Sequence, residues 1–133
     1  MNDMEERKIR VAITHGDTNG IGYETILKAF EDPMIFDLCT PIIYGSPKVA
    51  AFHRKAMNLV TQFTPINQAE EARDGRLNIL ATFDDEVKVE FGQPTDESAE
   101  AARKAVARAK EDLMKHLYDV LVMAPVKPAA NHP

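Results

Sequence analysis

Residues 16–24 read Gly-Asp-Thr-Asn-Gly-Ile-Gly-Tyr-Glu and follow directly on the apolar run Ile9-Arg10-Val11-Ala12-Ile13. That order, apolar run then glycine-dense turn then helix start, is the entry to an open α/β sheet. Ligands of such sheets sit at the carboxyl ends of strands, where backbone N–H groups and a helix N-terminus converge on an anion. Three glycines allow close approach with no Cβ in the way. The spacing excludes the two commonest phosphate loops. Thr25 stands where the dinucleotide fingerprint needs its third glycine, and no Gly-Lys-Ser/Thr follows to make a Walker loop.

The rest of the chain repeats the alternation. Residues 9–14 form an expected strand apolar enough to be covered on both faces. A helix is expected over 21–31, with Ile26, Leu27 and Phe30 inward and Glu24, Lys28 and Glu31 outward, ended by Asp32-Pro33. Pro41 to Tyr44 read as a second strand stopped by Gly45. Ser46 is an expected N-cap with Pro47 in the first turn of a helix to about residue 58. Between residues 59 and 91 the pattern weakens. Leu77 to Leu80 form the best strand candidate there, and 87–91 form an alternating one. The clearest helix is expected over 96–117, with Ala99, Ala102, Val106, Ala109, Leu113 and Leu117 as its apolar stripe. Glu100 with Lys104 and Glu111 with Lys115 are expected i, i+4 pairs on it. Val120 to Met123 then read as a buried strand, after which Pro125 and Pro128 end regular structure. Alternating strands and helices imply a largely parallel, doubly wound sheet.

Two separated stretches resemble one family. Residues 16–24 are similar to the signature Gly-Asp-Pro-x-Gly-Ile-Gly-Pro-Glu of the 4-hydroxythreonine-4-phosphate dehydrogenase family, with Thr18 and Tyr23 where prolines are usual. Gly92-Gln93-Pro94, Ser98, Ala102 and the long helix lead to Asp119-Val120-Leu121-Val122-Met123-Ala124-Pro125-Val126, similar to that family's Ala-Leu-Val-Thr-Ala-Pro-Val strand. The usual Asn-Lys after it is here Lys127-Pro128.

The resemblance implies an isocitrate/isopropylmalate dehydrogenase-like fold. Residues 1–133 would be the N-terminal α/β portion of a two-domain enzyme, with its first domain incomplete. It also implies NAD, a divalent metal ion, a phosphorylated small-molecule substrate, a homodimer and a role in pyridoxal phosphate synthesis. Gly16, Asp17, Asn19, Gly20 and Gly22, with His15 before them, are the implied cleft-lining residues, and Ala124-Pro125-Val126 helps wall the cleft. The family's Gly-His-Thr-Glu segment, its metal-binding histidines and most cofactor contacts lie further along and do not occur in these residues. No metal ligand or catalytic residue is therefore assigned, and this stretch alone is expected to be inactive.

Each feature has a plainer reading. A glycine-dense strand-to-helix turn serves equally well as a tight turn without a ligand. Asp17 suits a turn or cap, and Glu24 complements a helix dipole. His15 at a strand end is more often structural than liganding. His53 and His116 fall in expected helices without metal spacing and read as surface or boundary residues. Asp84-Asp85-Glu86 reads as a solvated turn. Lys127-Pro128 after a strand is a receiver-domain feature, but a receiver needs an acidic pair where this chain has only Asp17. A rival class remains, a non-catalytic α/β module that holds a phosphorylated metabolite on the 16–22 loop.

Charge and cysteine narrow the setting. Twenty-one acidic against 16 basic residues give a net charge of −5, which disfavours nucleic acid. Cys39, the one cysteine, cannot form an internal disulfide and reads as a small buried thiol in a reducing cytoplasm. The first eight residues lack a secretory apolar core, and no run nears the roughly 20 apolar residues of a membrane span.

Overall fold

Four helices and five strands follow one another in the computed structural model, which describes residues 8–15, 22–82 and 96–123. The order is β1 (Ile9–Thr14), α1 (Gly22–Ala29), α2 (Ile35–Leu38), β2 (Cys39–Gly45), α3 (Pro47–Ala56), β3 (Thr64–Ile66), a 3-10 turn (Ala69–Glu71), β4 (Asn78–Ala81), α4 (Asp96–Met114) and β5 (Val120–Met123). The strands form one sheet in the order β3-β4-β2-β1-β5, and every pair is parallel. This is the expected α/β architecture. The anticipated strand at 87–91 and the acidic run at 84–86 lie outside the described residues.

Alternation along the strands divides the core into two layers. Ile13, Ile43 and Ile79 face α1 and α3, packing with Tyr23, Ile26, Leu27, Phe30, Val49 and Ala50. Ala12, Ile42, Tyr44 and Leu80 face α4 and pack with Ala105, Ala109 and Tyr118. The stripe expected on α1 is the one observed, and Glu24 pairs outward with Lys28 at 2.9 Å.

Local chemistry sets the ends. The Ser46 hydroxyl accepts the Val49 N–H at 3.2 Å and Pro47 occupies the first helical turn, as the sequence implies. Asp32 accepts the Met34 N–H at 3.0 Å in the turn after α1. Beyond α3 and α4 the chain reverses through Asn58 (φ 55°) and His116 (φ 57°), left-handed residues that end each helix two to three residues sooner than the apolar pattern suggests.

Several expectations need correction. The stripe on α4 is rotated: Ala101, Ala102, Ala105, Ala109 and Asp112 are buried, whereas Leu113 is 43% exposed. Asp112 goes inward because Tyr44 donates to it at 2.7 Å and Arg108 lies 3.5 Å away. Glu100 pairs with Arg103 at 2.7 Å rather than with Lys104, while Glu111 and Lys115 do pair, at 3.3 Å. Cys39 is half-buried, not fully buried. β5 is not buried either: Val120, Val122 and Met123 are each nearly half exposed, because among the described strands it pairs with β1 alone. The short α2 and β3 were not foreseen.

Candidate functional site

Topology selects one edge of the sheet. From β1 the chain steps outward to β2, and it later returns to the opposite side of β1 as β5. The direction of winding therefore reverses between β1 and β5, and open α/β sheets bind ligands outside the carboxyl ends of strands at such a reversal. Thr14 is paired with Met123 at that end. The chain enters the glycine-rich turn from one of these tips and the Ala124-Pro125-Val126 stretch from the other. The two strands that precede these motifs in the sequence thus end side by side.

What the described residues contribute there is well defined. Thr14 is buried, and its Oγ1 has no hydrogen-bond partner among the described residues. An unmade bond on a buried hydroxyl costs roughly 1–3 kcal/mol, which makes it a group with something to offer a polar ligand. Gly22 opens α1, so the far end of the glycine turn is anchored on a helix start. Gly16, Asp17, Asn19 and Gly20, and residues 124–126, lie outside the described residues.

His15 is fully buried. Its ring stacks on Tyr23 with centroids 4.9 Å apart and planes 17° from parallel, and Tyr23 stacks in turn on His53 at 5.2 Å and 19°. His53 is therefore a core residue, contrary to the surface or boundary position expected for it, because Tyr23 gives its ring an apolar, stacking neighbour inside the α1–α3 layer. His116 is exposed, as expected. The Tyr23 phenol oxygen accepts the Ser46 N–H at 3.0 Å. Gly45 lies against this group so tightly that a Cβ there would collide with Tyr23 Oη and stand 2.7 Å from His15 Cδ2. Sequence reasoning noted Tyr23 only as a replaced proline. The available signal was a bulky aromatic one residue past the last glycine, where a helix start normally carries small or polar residues.

On the other face of the sheet, burial first and the bond to Asp112 second push the Tyr44 hydroxyl far above its ordinary range, and burial does the same more mildly to Tyr118. Among the described residues no three His, Cys, Asp or Glu side chains are grouped to hold a metal ion. The implied divalent metal does not fit the residues described, and no step is assigned to it. Nor is any of their helices long and apolar enough to cross a membrane.

Residues 37–132 match the family model described as "Pyridoxal phosphate biosynthetic protein PdxA". The chain belongs to the PdxA family. It is 55% identical over 123 residues to a 4-hydroxythreonine-4-phosphate dehydrogenase of Bacteroides thetaiotaomicron, an alignment that takes in 92% of this chain and 34% of the relative. A "Putative D-threonate 4-phosphate dehydrogenase" of Fusobacterium nucleatum is 25% identical over 90% of the chain and 37% of its own length. The chain thus spans little more than a third of these PdxA-related proteins. In three dimensions it resembles the crystal structure of a 4-hydroxythreonine-4-phosphate dehydrogenase from Burkholderia phymatum with a TM-score of 0.80 at 24% identity, covering 90% of this chain and 37% of that one. The sheet is accordingly of the isocitrate dehydrogenase-like kind found in PdxA dehydrogenases.

Proposed function

We propose that this chain is the N-terminal α/β portion of a 4-hydroxythreonine-4-phosphate dehydrogenase, and that its share of the work is to form one wall of the crevice holding the phosphorylated substrate. The observation that carries this reading is the adjacency of β1 and β5 at the winding reversal, since these are the strands that come just before the glycine-rich residues and Ala124-Pro125-Val126 in the sequence. In the proposed role, backbone N–H groups of residues 16–22 and the start of α1 hold the anionic phosphate, with Asp17 and Asn19 shaping the turn. The Thr14 hydroxyl supplies a further polar contact. The reaction implied by family membership is oxidation of the substrate alcohol, with the hydride passing to NAD, followed by decarboxylation. The hydride chemistry belongs to the cofactor, and the chain's task is to place the substrate. A homodimer and a cytoplasmic setting belong to the same proposal.

The activities for which these relatives are named share a four-carbon acid carrying a 4-phosphate. The 55% identity to the 4-hydroxythreonine-4-phosphate enzyme, against 25% to the D-threonate one, favours the amino acid. By itself the stretch is expected to hold the phosphate without turning the substrate over.

Thermal unfolding with each of the two phosphate esters tests this. A ligand at a hundred times its Kd raises stability by about 2.7 kcal/mol. Millimolar 4-hydroxythreonine 4-phosphate is expected to raise the melting temperature, D-threonate 4-phosphate to raise it less, and Gly20→Val to abolish both effects. No NADH should form. If neither ester shifts the melt, or Gly20→Val leaves the shift intact, the crevice reading fails.

A further inference from the structure

We propose that Tyr23 is a positioning residue: its phenol oxygen ties the first turn of α1 to the entry of α3, so that the tips of β1 and β2 stand as one wall. Ser46 N–H is the first amide past the end of β2, in a fully buried residue. The carbonyl of its own peptide, that of Gly45, points the opposite way across the trans bond, and the groups around it serve other donors. The Ser46 hydroxyl takes the Val49 N–H, the Ser46 carbonyl takes the Ala50 N–H at 2.9 Å, and the Gly45 carbonyl takes the Thr82 N–H at 2.8 Å. The acceptor arrives instead from a different βα unit, 23 residues earlier in the chain.

Three features show that this reach is built in. Gly45 lacks the Cβ that would collide with the phenol oxygen. The ring is clamped between His15, the residue that leaves β1, and His53, in the second turn of α3. Pro47 has no N–H of its own, so Ser46 carries the last backbone N–H before α3. A phenylalanine would preserve the stack and lose the tie. The oxygen is therefore the working part, and the ring is its carrier.

The consequence for ligand binding rests on the crevice reading above, whereas the tie itself does not. Residue-resolved hydrogen–deuterium exchange on the whole chain tests the tie. In Tyr23→Phe, exchange at the Ser46 amide should rise at least tenfold and exchange in the first turn of α1 should rise with it, while the β2 amides of Ile42 to Tyr44 keep their protection. Tyr23→Leu should give the same local pattern and a lower melting temperature. Ser46 exchange within twofold of the parent, or a uniform rise that includes β2, would overturn the proposal. The second arm is the melting shift given by 4-hydroxythreonine 4-phosphate, expected to fall by at least half in Tyr23→Phe. If the parent shows the shift and Tyr23→Phe keeps it whole, Tyr23 does not position the wall. If the parent shows no shift, the function proposed above fails and the exchange result decides the tie.

Discussion

β2 and β5 flank the same strand, run parallel to it and are both short apolar segments, yet one is sealed and the other is half open. All residues of β2 after Cys39 are buried, since β1 and β4 take its two edges while α3 and α4 cover its faces. In β5, Leu121 packs toward α4, whereas Val120 and Val122 on the opposite face have no described helix over them. Burial of a strand is thus a property of its neighbours. The largest consequences of substitution should fall on β2 and its turn, and the smallest on β5.

Gly45→Ala should have the largest effect. The added carbon meets Tyr23 Oη and His15 Cδ2, both in a buried stack that cannot swing aside. Overpacking of this kind costs about 3 kcal/mol. For a domain of this size that is a fall in melting temperature on the order of 10 °C. A denaturant titration showing a loss below about 1 kcal/mol would mean that the two tips are not packed as described and that the contrast with β5 is overstated.

Tyr44→Phe should come next, and it adds a dependence on pH. The Tyr44 hydroxyl donates to Asp112, whose carboxylate is 2% exposed, so deleting the donor leaves a buried charge under-satisfied at a cost of about 2 kcal/mol. Burial, and then the bond to Asp112, raise the folded-state pKa of Tyr44 above the value it has when unfolded. Its contribution is therefore complete below the ordinary tyrosine pKa of about 10 and declines as the pH climbs above it. The parent should lose stability above that pH, and Tyr44→Phe should lose less, retaining the contributions of Tyr118 and Cys39, both raised by burial. Equal alkaline slopes in the two proteins would show that Tyr44 ionises freely.

These two sites also mark how far the sequence could be read. Period and punctuation are local, so β1, the stripe of α1, the Ser46-Pro47 helix entry and the Asn78 strand could all be recognised from neighbouring residues. The parallel sheet followed from alternation. What escaped depends on residues far apart in the chain. Asp112 displaces Leu113 from the core because Tyr44, 68 residues earlier, offers it a proton. His53 is buried because Tyr23 lies across it, and Tyr23 itself matters through Ser46. β3 and α2, three and four residues long, are too short to show a period.

The edge strand should give the smallest change in stability and a different kind of signal. Val122 is 49% exposed, so Val122→Ala removes little buried surface and should cost well under about 1 kcal/mol. An apolar edge with no partner among the described strands is nevertheless a template for pairing with another chain, and a lysine on it is the usual remedy. The parent is therefore expected to elute from a sizing column as an oligomer, and Val122→Lys to shift toward the monomer with its melting temperature nearly unchanged. A monomeric parent would show that the exposed side of β5 is not adhesive. A large loss of stability in Val122→Ala would show instead that this side is covered in the folded protein, and the contrast between the two strands would disappear.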